Sequence, residues 1–452
     1  MASLDSIFKA YDVRGVVPDQ FDAELARAIG GAFARFAAPD GGTILVARDM
    51  RPSGVELVQA FTEGVTTSGV DVVDLGLAST DLLYFASGKL DAPGAMFTAS
   101  HNPAQYNGIK FCLAGAKPVG QDTGLAQIRD AAAAGGPGDG TRPAGTVSER
   151  DLLADFGEHV VSFVDLGVMK PLRVVADTAN GMGGHVVPGV FAKLPFELEI
   201  LYAELDGTFP NHPADPIQPE NLVDLQKRVL ETGADIGLAF DGDADRVFLV
   251  DDKGALVSGS LTTAMVAKAM LEKKPGSTIL HNLICSKAVA EVVRENGGTP
   301  IRTRVGHSFI KEKMAETGAV FGGEHSGHYY FLDNYRADSG LIAAVVVLEL
   351  LCKAGRPLSE VREPFERYAA SGEINTEVDD PAAVIARVRE HYAAEGAQLD
   401  ELDGLTVDLG DWWCNLRPSN TEPLLRLNLE APDAASTAAH VAEVQALMKG
   451  TD

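Results

Sequence analysis

Three stretches of the chain repeat one order of apolar and polar positions. Each opens on a short apolar run that stops at a polar turn: Ile44 to Ala47 before Arg48 and Asp49, Val174 to Ala176 before Asp177, and Thr278 to Leu280 before His281 and Asn282. Runs this short and unbroken predict buried strands. Apolar residues spaced three and four apart follow, at Val55, Val58, Phe61 and Val65 in the first stretch and at Val289, Val292 and Val293 in the third, and predict helices that bury one face. A second strand is predicted at Val70 to Val73, Leu198 to Leu201 and Thr299 to Arg302, and then a further helix, clearest where Leu222, Leu225 and Val229 share a face. Strands alternating with helices imply parallel pairing with helices packed on the sheet.

A third short strand in each stretch runs directly into an unusually polar loop. The loops are TASHNP at Thr98 to Pro103, DGDADR at Asp241 to Arg246 and GEHSGH at Gly323 to His328. Another apolar run follows each, at Ile109 to Leu113, Val247 to Val250 and Tyr329 to Leu332. The three loops therefore share one place in three similar units, beyond the end of a sheet strand, which is where open α/β sheets bind ligands. The stretch from Ala131 through Gly145, rich in Ala, Gly and Pro, reads as a linker or exposed loop. After Leu350 the pattern changes: Pro381 to Ala394 predicts a helix, Leu405 to Leu416 and Leu424 to Leu429 predict strands, and a last helix closes a differently folded α+β unit.

Length and composition narrow the class. A chain of 452 residues is enough for about three domains, and 46% hydrophobic with 23% charged residues exclude disordered and fibrous classes. The longest apolar candidate, around Leu341 to Leu351, carries Glu349 and is too short for a membrane span, so it predicts a core helix. Met1 to Asp5 lack the basic start and apolar core of an export signal, so a cytoplasmic protein without membrane attachment is expected. The net charge of -26 opposes binding to nucleic acid or an anionic membrane, yet not to a phosphorylated metabolite, which needs only a local convergence of cations and N–H groups. Four cysteines, Cys112, Cys285, Cys352 and Cys414, lack CxxC spacing and predict neither a zinc site nor a disulfide framework.

The polar loops carry candidate chemistry. Asp241, Asp243 and Asp245 alternate with Gly242 and Ala244, so a tight loop can turn three carboxylates toward one centre, a hard oxygen set suited to Mg²⁺, with Arg246 a cation beside it. A solvated acidic turn is the plainer alternative; an EF-hand is disfavoured, because Arg246 stands where it requires Gly and Asp252 where it requires Glu. Ser100, with Thr98, His101 and Asn102 around it, can carry a phosphoryl group if a metal or base lies near; taken alone, Ser100 and Asn102 suit a turn or helix cap better. No GxSxG elbow surrounds Ser100, which argues against a Ser/His/Asp hydrolase. Glu324, Ser326 and His328 can read sugar hydroxyls and handle a proton, or can equally form a glycine-rich structural turn. Arg417, Ser419, Asn420 and Thr421 form a candidate phosphate clamp, although an Arg-Pro turn capped by Ser explains them as well in isolation.

Taken together and in this order, the four loops resemble the α-D-phosphohexomutase family over essentially the whole chain. The run Phe8, Lys9, Ala10, Tyr11, Asp12, Val13, Arg14, Gly15 is similar to the family's opening signature, where the positions of Tyr11 and Arg14 line the active site. The resemblance implies three related α/β domains with mixed sheets, at 1–147, 148–254 and 255–368, and a C-terminal α+β domain resembling TATA-binding protein at 369–452. It implies Ser100 as the phosphoserine, Mg²⁺ held by its phosphate with Asp241, Asp243 and Asp245, and Lys110, Arg14, His101 and His328 as the remaining catalytic residues. Arg246 would hold the serine phosphate, Glu324 and Ser326 the sugar, His307 a further substrate contact beside Tyr11, and Arg417, Ser419, Asn420 and Thr421 the phosphate that does not react. Some relatives place a lysine where Ile284 stands here, and Lys287 lies three residues on as a weaker candidate contact.

The RPSNTEP loop resembles phosphomannomutase and phosphoglucomutase members, whereas phosphoglucosamine mutases usually carry Gly where Asn420 stands. The implied reaction is reversible exchange between mannose 6-phosphate and mannose 1-phosphate, extending to glucose phosphates, through a hexose 1,6-bisphosphate in a monomer or homodimer. A phosphoglucosamine mutase is the nearest alternative. A metal-dependent phosphatase and a silent sugar-phosphate-binding protein are the others.

Overall fold

The computed structural model describes residues 4–135, 142–418 and 424–450. Its first sheet runs, edge to edge, Val13–Val16, Tyr106–Leu113, Gly94–Phe97, Thr43–Arg48, Asp71–Leu77 and Val147–Glu149. The second runs Leu256–Val257, Val247–Asp251, Ile236–Phe240, Arg173–Asp177 and Glu197–Leu201, and the third Tyr329–Phe331, Phe321–Gly323, Thr278–Asn282 and Thr299–Thr303. In each, the first predicted strand is central, with the second and third parallel to it on either side. The strand after the polar loop then returns antiparallel to the third. The repeat in the sequence is thus a repeat of topology, and each polar loop is the turn joining the third strand to its returning partner. Strands such as Ile236–Phe240 and Val247–Asp251 are buried along their whole length, which is why they read as continuous apolar runs.

The fourth sheet, Ala369–Glu377, Leu424–Ala431, Trp413–Pro418, Leu405–Asp408 and Gln398–Asp400, is antiparallel throughout. The helix Pro381–Ala394 starts where predicted, because Asp380 caps the N–H of Ala383 and Pro381 fills a first-turn position that needs no N–H. This helix and Ala434–Lys449 cover the sheet around Val388, Tyr392, Leu416, Leu427 and Val444.

The cores divide unevenly. One buried cluster runs without interruption through residues of all three α/β units, from Leu45 and Phe85 through Val186 and Leu238 to Val346 and Phe365. The fourth unit keeps its own. Polar contacts tie it to the third: Lys287 to Asp408 at 2.8 Å, Arg302 to Asp400, and Val305 N–H to Asp403. The helix Gly340–Ala354 is the predicted core helix; its buried Glu349 is compensated by Lys273 at 2.6 Å and Lys353 at 3.2 Å. Among the described residues, no helix is long and apolar enough to cross a membrane. The helix Leu125–Ala133 extends into the alanine-rich stretch read as a linker, and Val147–Glu149 adds a parallel edge strand beside Asp71–Leu77.

Candidate active site

Ser100 follows the buried strand Gly94–Phe97 and takes a left-handed backbone with φ of 49°, a conformation that costs a non-glycine residue energy and is concentrated at functional sites. Thr98 Oγ1 accepts from the Ser100 N–H at 2.9 Å and fixes the start of the turn. The result caps no helix. The Ser100 hydroxyl crosses to the second unit and donates to Asp241 Oδ2 at 2.7 Å, with His101 Nδ1 at 3.3 Å. The two loops touch backbone to backbone, since a Cβ on Gly242 would lie 2.4 Å from the Ser100 carbonyl oxygen. Glycine is the residue that permits this approach.

Asp241, Asp243 and Asp245 are buried, and their ligand oxygens lie within 4.8 Å of one another. Two buried cations face them: Lys110 Nζ donates to Asp243 at 2.7 Å and Asp245 at 2.6 Å, and Arg246 Nε donates to Asp241 at 2.9 Å. Thr80 adds a hydroxyl to Asp243 at 2.6 Å. Even with both cations in place, Asp243 Oδ1 and Asp245 Oδ1 are buried without a hydrogen-bond partner. An oxygen-only donor set with spare lone pairs fits a hard divalent cation.

Burial pushes the Asp241 carboxyl up to about 7, against the opposing pull of Arg246. For Lys110 burial acts downward, but Asp243 and Asp245 outweigh it and the ammonium is held well above its ordinary range. His328 behaves alike: burial lowers it, while Asp245 and the hydrogen bond to Asp338 at 3.0 Å raise it. His101 goes the other way, driven down to about 2 by burial and by Arg246 and Arg14, so its ring is neutral at physiological pH. Lys110 therefore arrives as a cation, and His328 is drawn toward its protonated form.

The third loop closes the site. Glu324 accepts from Tyr330 at 2.6 Å, Asn282 at 3.1 Å and the Gly306 N–H at 3.2 Å, which fixes its carboxylate between two strands and the start of the helix His307–Thr317. Ser326 is half-buried beside it, and His325 turns to Ser260 at 3.1 Å. From the first unit Arg14 reaches Asn102 at 2.6 Å and Asp12, and Tyr11 donates to the Val305 carbonyl at 3.4 Å.

Family models match all four units in order: phosphoglucomutase/phosphomannomutase α/β/α domain I over residues 5–136, domain II over 154–254, domain III over 258–368 and the C-terminal domain over 373–447. The chain belongs to the phosphoglucomutase/phosphomannomutase family. A protein of Xanthomonas campestris named for phosphohexose mutases is 42% identical over 446 residues, covering 98% of this chain and 99% of its own. The phosphomannomutase of Escherichia coli K12 is 39% identical over 433 residues, 94% of each. The crystal structure of a phosphoglucomutase/phosphomannomutase family protein from Burkholderia thailandensis superposes with a TM-score of 0.91 at 34% identity, covering 100% of this chain and 98% of that one. Membership makes the protein a phosphohexose mutase, an isomerase.

Other positions expected to match the phosphoglucomutase/phosphomannomutase pattern fall less centrally. Arg417, at the end of its strand, lies 3.6 Å from Asp403 and 3.9 Å from Glu373. Ser419, Asn420, Thr421 and the His307 side chain lie outside the described residues. Lys287 turns away from the sugar loop, bonding Asp408 and the Gly410 carbonyl in the fourth unit. Sequence reasoning overlooked Arg51, Thr80, Tyr330 and Asp338, which lie outside the recognisable loops and meet them only in the fold, at Ser100 and Asn102, Asp243, Glu324 and His328 respectively.

Proposed function

We propose that the protein interconverts mannose 6-phosphate and mannose 1-phosphate, and glucose phosphates with them, using Ser100 as phosphoryl carrier and a hexose 1,6-bisphosphate as intermediate. The observation that carries this reading is the Ser100 hydroxyl held 2.7 Å from Asp241, facing a carboxylate triplet with unsatisfied oxygens. A sugar hydroxyl attacks phosphorus of phosphorylated Ser100, the bond from phosphorus to Oγ breaks as the new one forms, and the hydroxyl proton ends on Oγ. Turned end for end, the bisphosphate returns its other phosphoryl group to Ser100, so the cycle consumes no co-reactant. Mg²⁺ held by Asp241, Asp243 and Asp245 would draw charge off the transferring oxygens. Lys110 and Arg246 supply fixed positive charge around the same point, His328 stands beside Asp245 as a proton-handling group, and the neutral His101 ring abuts Oγ. Glu324, oriented by Tyr330 and Asn282, presents its carboxylate to sugar hydroxyls together with Ser326, and Tyr11 borders the same cleft.

The preference for mannose and glucose rests on the RPSNTEP loop and on relatives named phosphomannomutase. Catalytic efficiency on the 1-phosphates of mannose, glucose and glucosamine tests it directly. The first two should lie within about tenfold of each other and glucosamine at least about 10²-fold lower, the scale on which one mismatched polar group is rejected. Glucosamine 1-phosphate in the lead would reassign the enzyme to the glucosamine branch.

Arg417→Ala separates holding from transfer. With one guanidinium lost from a phosphate contact, KM should rise about 30- to 150-fold, as for removing a charge-assisted hydrogen bond of about 2–3 kcal/mol. Ser100 should still take a phosphoryl group from excess hexose 1,6-bisphosphate, read by intact mass. An unchanged KM would remove Arg417 from the substrate site.

A further inference from the structure

Arg51 is fully buried, a rare fate for an arginine, and it lies beneath the Ser100 turn on the short connection after the strand Thr43–Arg48. A guanidinium has five N–H donors. Here all of them are used: Nε donates to Asp49 at 3.2 Å, Nη1 to the carbonyls of Pro103 at 2.8 Å and Tyr106 at 3.0 Å, and Nη2 to those of Ser100 at 2.9 Å and Asn102 at 2.6 Å. Four of the five acceptors are backbone oxygens of one loop.

The Ser100 carbonyl is thereby clamped. Nη2 holds it on one side, and on the other Gly242 of the metal loop approaches so closely that a Cβ would stand 2.4 Å away. Fixing that carbonyl fixes the peptide plane after Ser100, and with it the left-handed backbone that turns Oγ toward Asp241. The guanidinium carbon also lies over the Phe209 ring, 5.1 Å from its centre, and a Cβ on Gly207 would meet the Arg51 backbone at 2.6 Å. The same side chain thus packs against the second unit, which supplies the carboxylates.

We propose that Arg51 is a positioning residue for phosphoryl transfer: it sets the location of Ser100 Oγ relative to the carboxylate triplet without touching substrate. The inference rests on Ser100 being the phosphoryl carrier. Lysine, with three donors and no planar fork, cannot satisfy four carbonyls and Asp49 together, so the exchange is not conservative here. A reacting atom displaced by about 1 Å costs about 10²-fold in rate.

The test measures kcat, KM, the rate of Ser100 phosphorylation by hexose 1,6-bisphosphate and the unfolding temperature for Arg51→Lys, Phe209→Leu and Ser100→Ala beside the wild type. For Arg51→Lys we expect kcat and the phosphorylation rate to fall together about 10²-fold, with KM within about threefold. Phe209 is only partly buried; its replacement by Leu removes the ring under the guanidinium, and kcat should fall about 3- to 10-fold, also with KM unchanged. Phe209→Leu decides the question if Arg51→Lys does not fold. Folded variants that keep wild-type kcat and phosphorylation rate, or that raise KM at constant kcat, would overturn the proposal. An active Ser100→Ala enzyme would remove its foundation, whereas an inactive one beside an unimpaired Arg51→Lys would refute the role of Arg51 alone.

Discussion

Ser100→Ala should abolish mutase activity, lowering kcat by at least about 10⁴-fold while the dissociation constant for hexose phosphate stays within about threefold. The variant loses one hydroxyl, and with it the hydrogen bond to Asp241, but none of the contacts that shape the loop: Thr98 still receives the Ser100 N–H and Arg51 still holds four carbonyls. Alanine in place of serine keeps the same left-handed backbone at similar cost, so the fold should survive. Incubated with hexose 1,6-bisphosphate, the wild type should gain the mass of a phosphoryl group and the variant none. Release of inorganic phosphate in step with substrate loss by the wild type would instead mark a hydrolase. Substantial mutase activity in a verified Ser100→Ala preparation would end the carrier assignment.

The wild-type loop also marks the boundary between what is readable in a sequence and what is not. Strands such as Ile236–Phe240 announce themselves because every position is buried, so burial and hydrophobicity coincide. Ala369–Glu377 does not: it is an edge strand of mostly polar, partly exposed residues, aligned by backbone bonds to Leu424–Ala431 and carrying little apolar signal of its own. Val13–Val16 is similar, four residues that become a strand because Tyr106–Leu113 lies beside them. In the site, Asp241, Asp243 and Asp245 were legible as a triplet since the spacing is local. The contacts of Lys110 with Asp243 and Asp245, of Thr80 with Asp243, and of Asp81 with Ser339 join residues far apart in the chain, with Lys110 on a strand and Thr80 and Asp81 at the start of a helix, so no local spacing signals the pairing. Arg51 in particular follows a strand as an ordinary surface arginine would, and only the folded turn above it reveals its five acceptors. Lys287 errs in the opposite sense, being close in sequence to Ile284, where some relatives carry a lysine, yet committed to the fourth unit in space.

Removing one carboxylate from the triplet should be nearly as damaging as removing the metal. Asp243→Asn conserves shape and the capacity to accept from Thr80, but it replaces a charged ligand oxygen by a neutral amide and reduces three carboxylates to two against the fixed charges of Lys110 and Arg246. The local charge then favours a divalent cation less, since one of three anionic ligands is gone while the facing cations remain. We expect kcat to fall about 10³-fold, and chelation of the wild type to do the same, reversed by added Mg²⁺. A second measurement does not depend on turnover. A ligand that binds only the folded state stabilises it by about 2.7 kcal/mol at a hundredfold excess over its dissociation constant, so Mg²⁺ should raise the unfolding temperature of the wild type. Asp243→Asn should show little or no such rise at the same concentration, even though its metal-free form is relieved of one buried like-charge repulsion. A variant that kept both the Mg²⁺-dependent rise and the activity would show that the cation is held elsewhere, and would leave the unsatisfied oxygens of Asp243 and Asp245 without a chemical purpose.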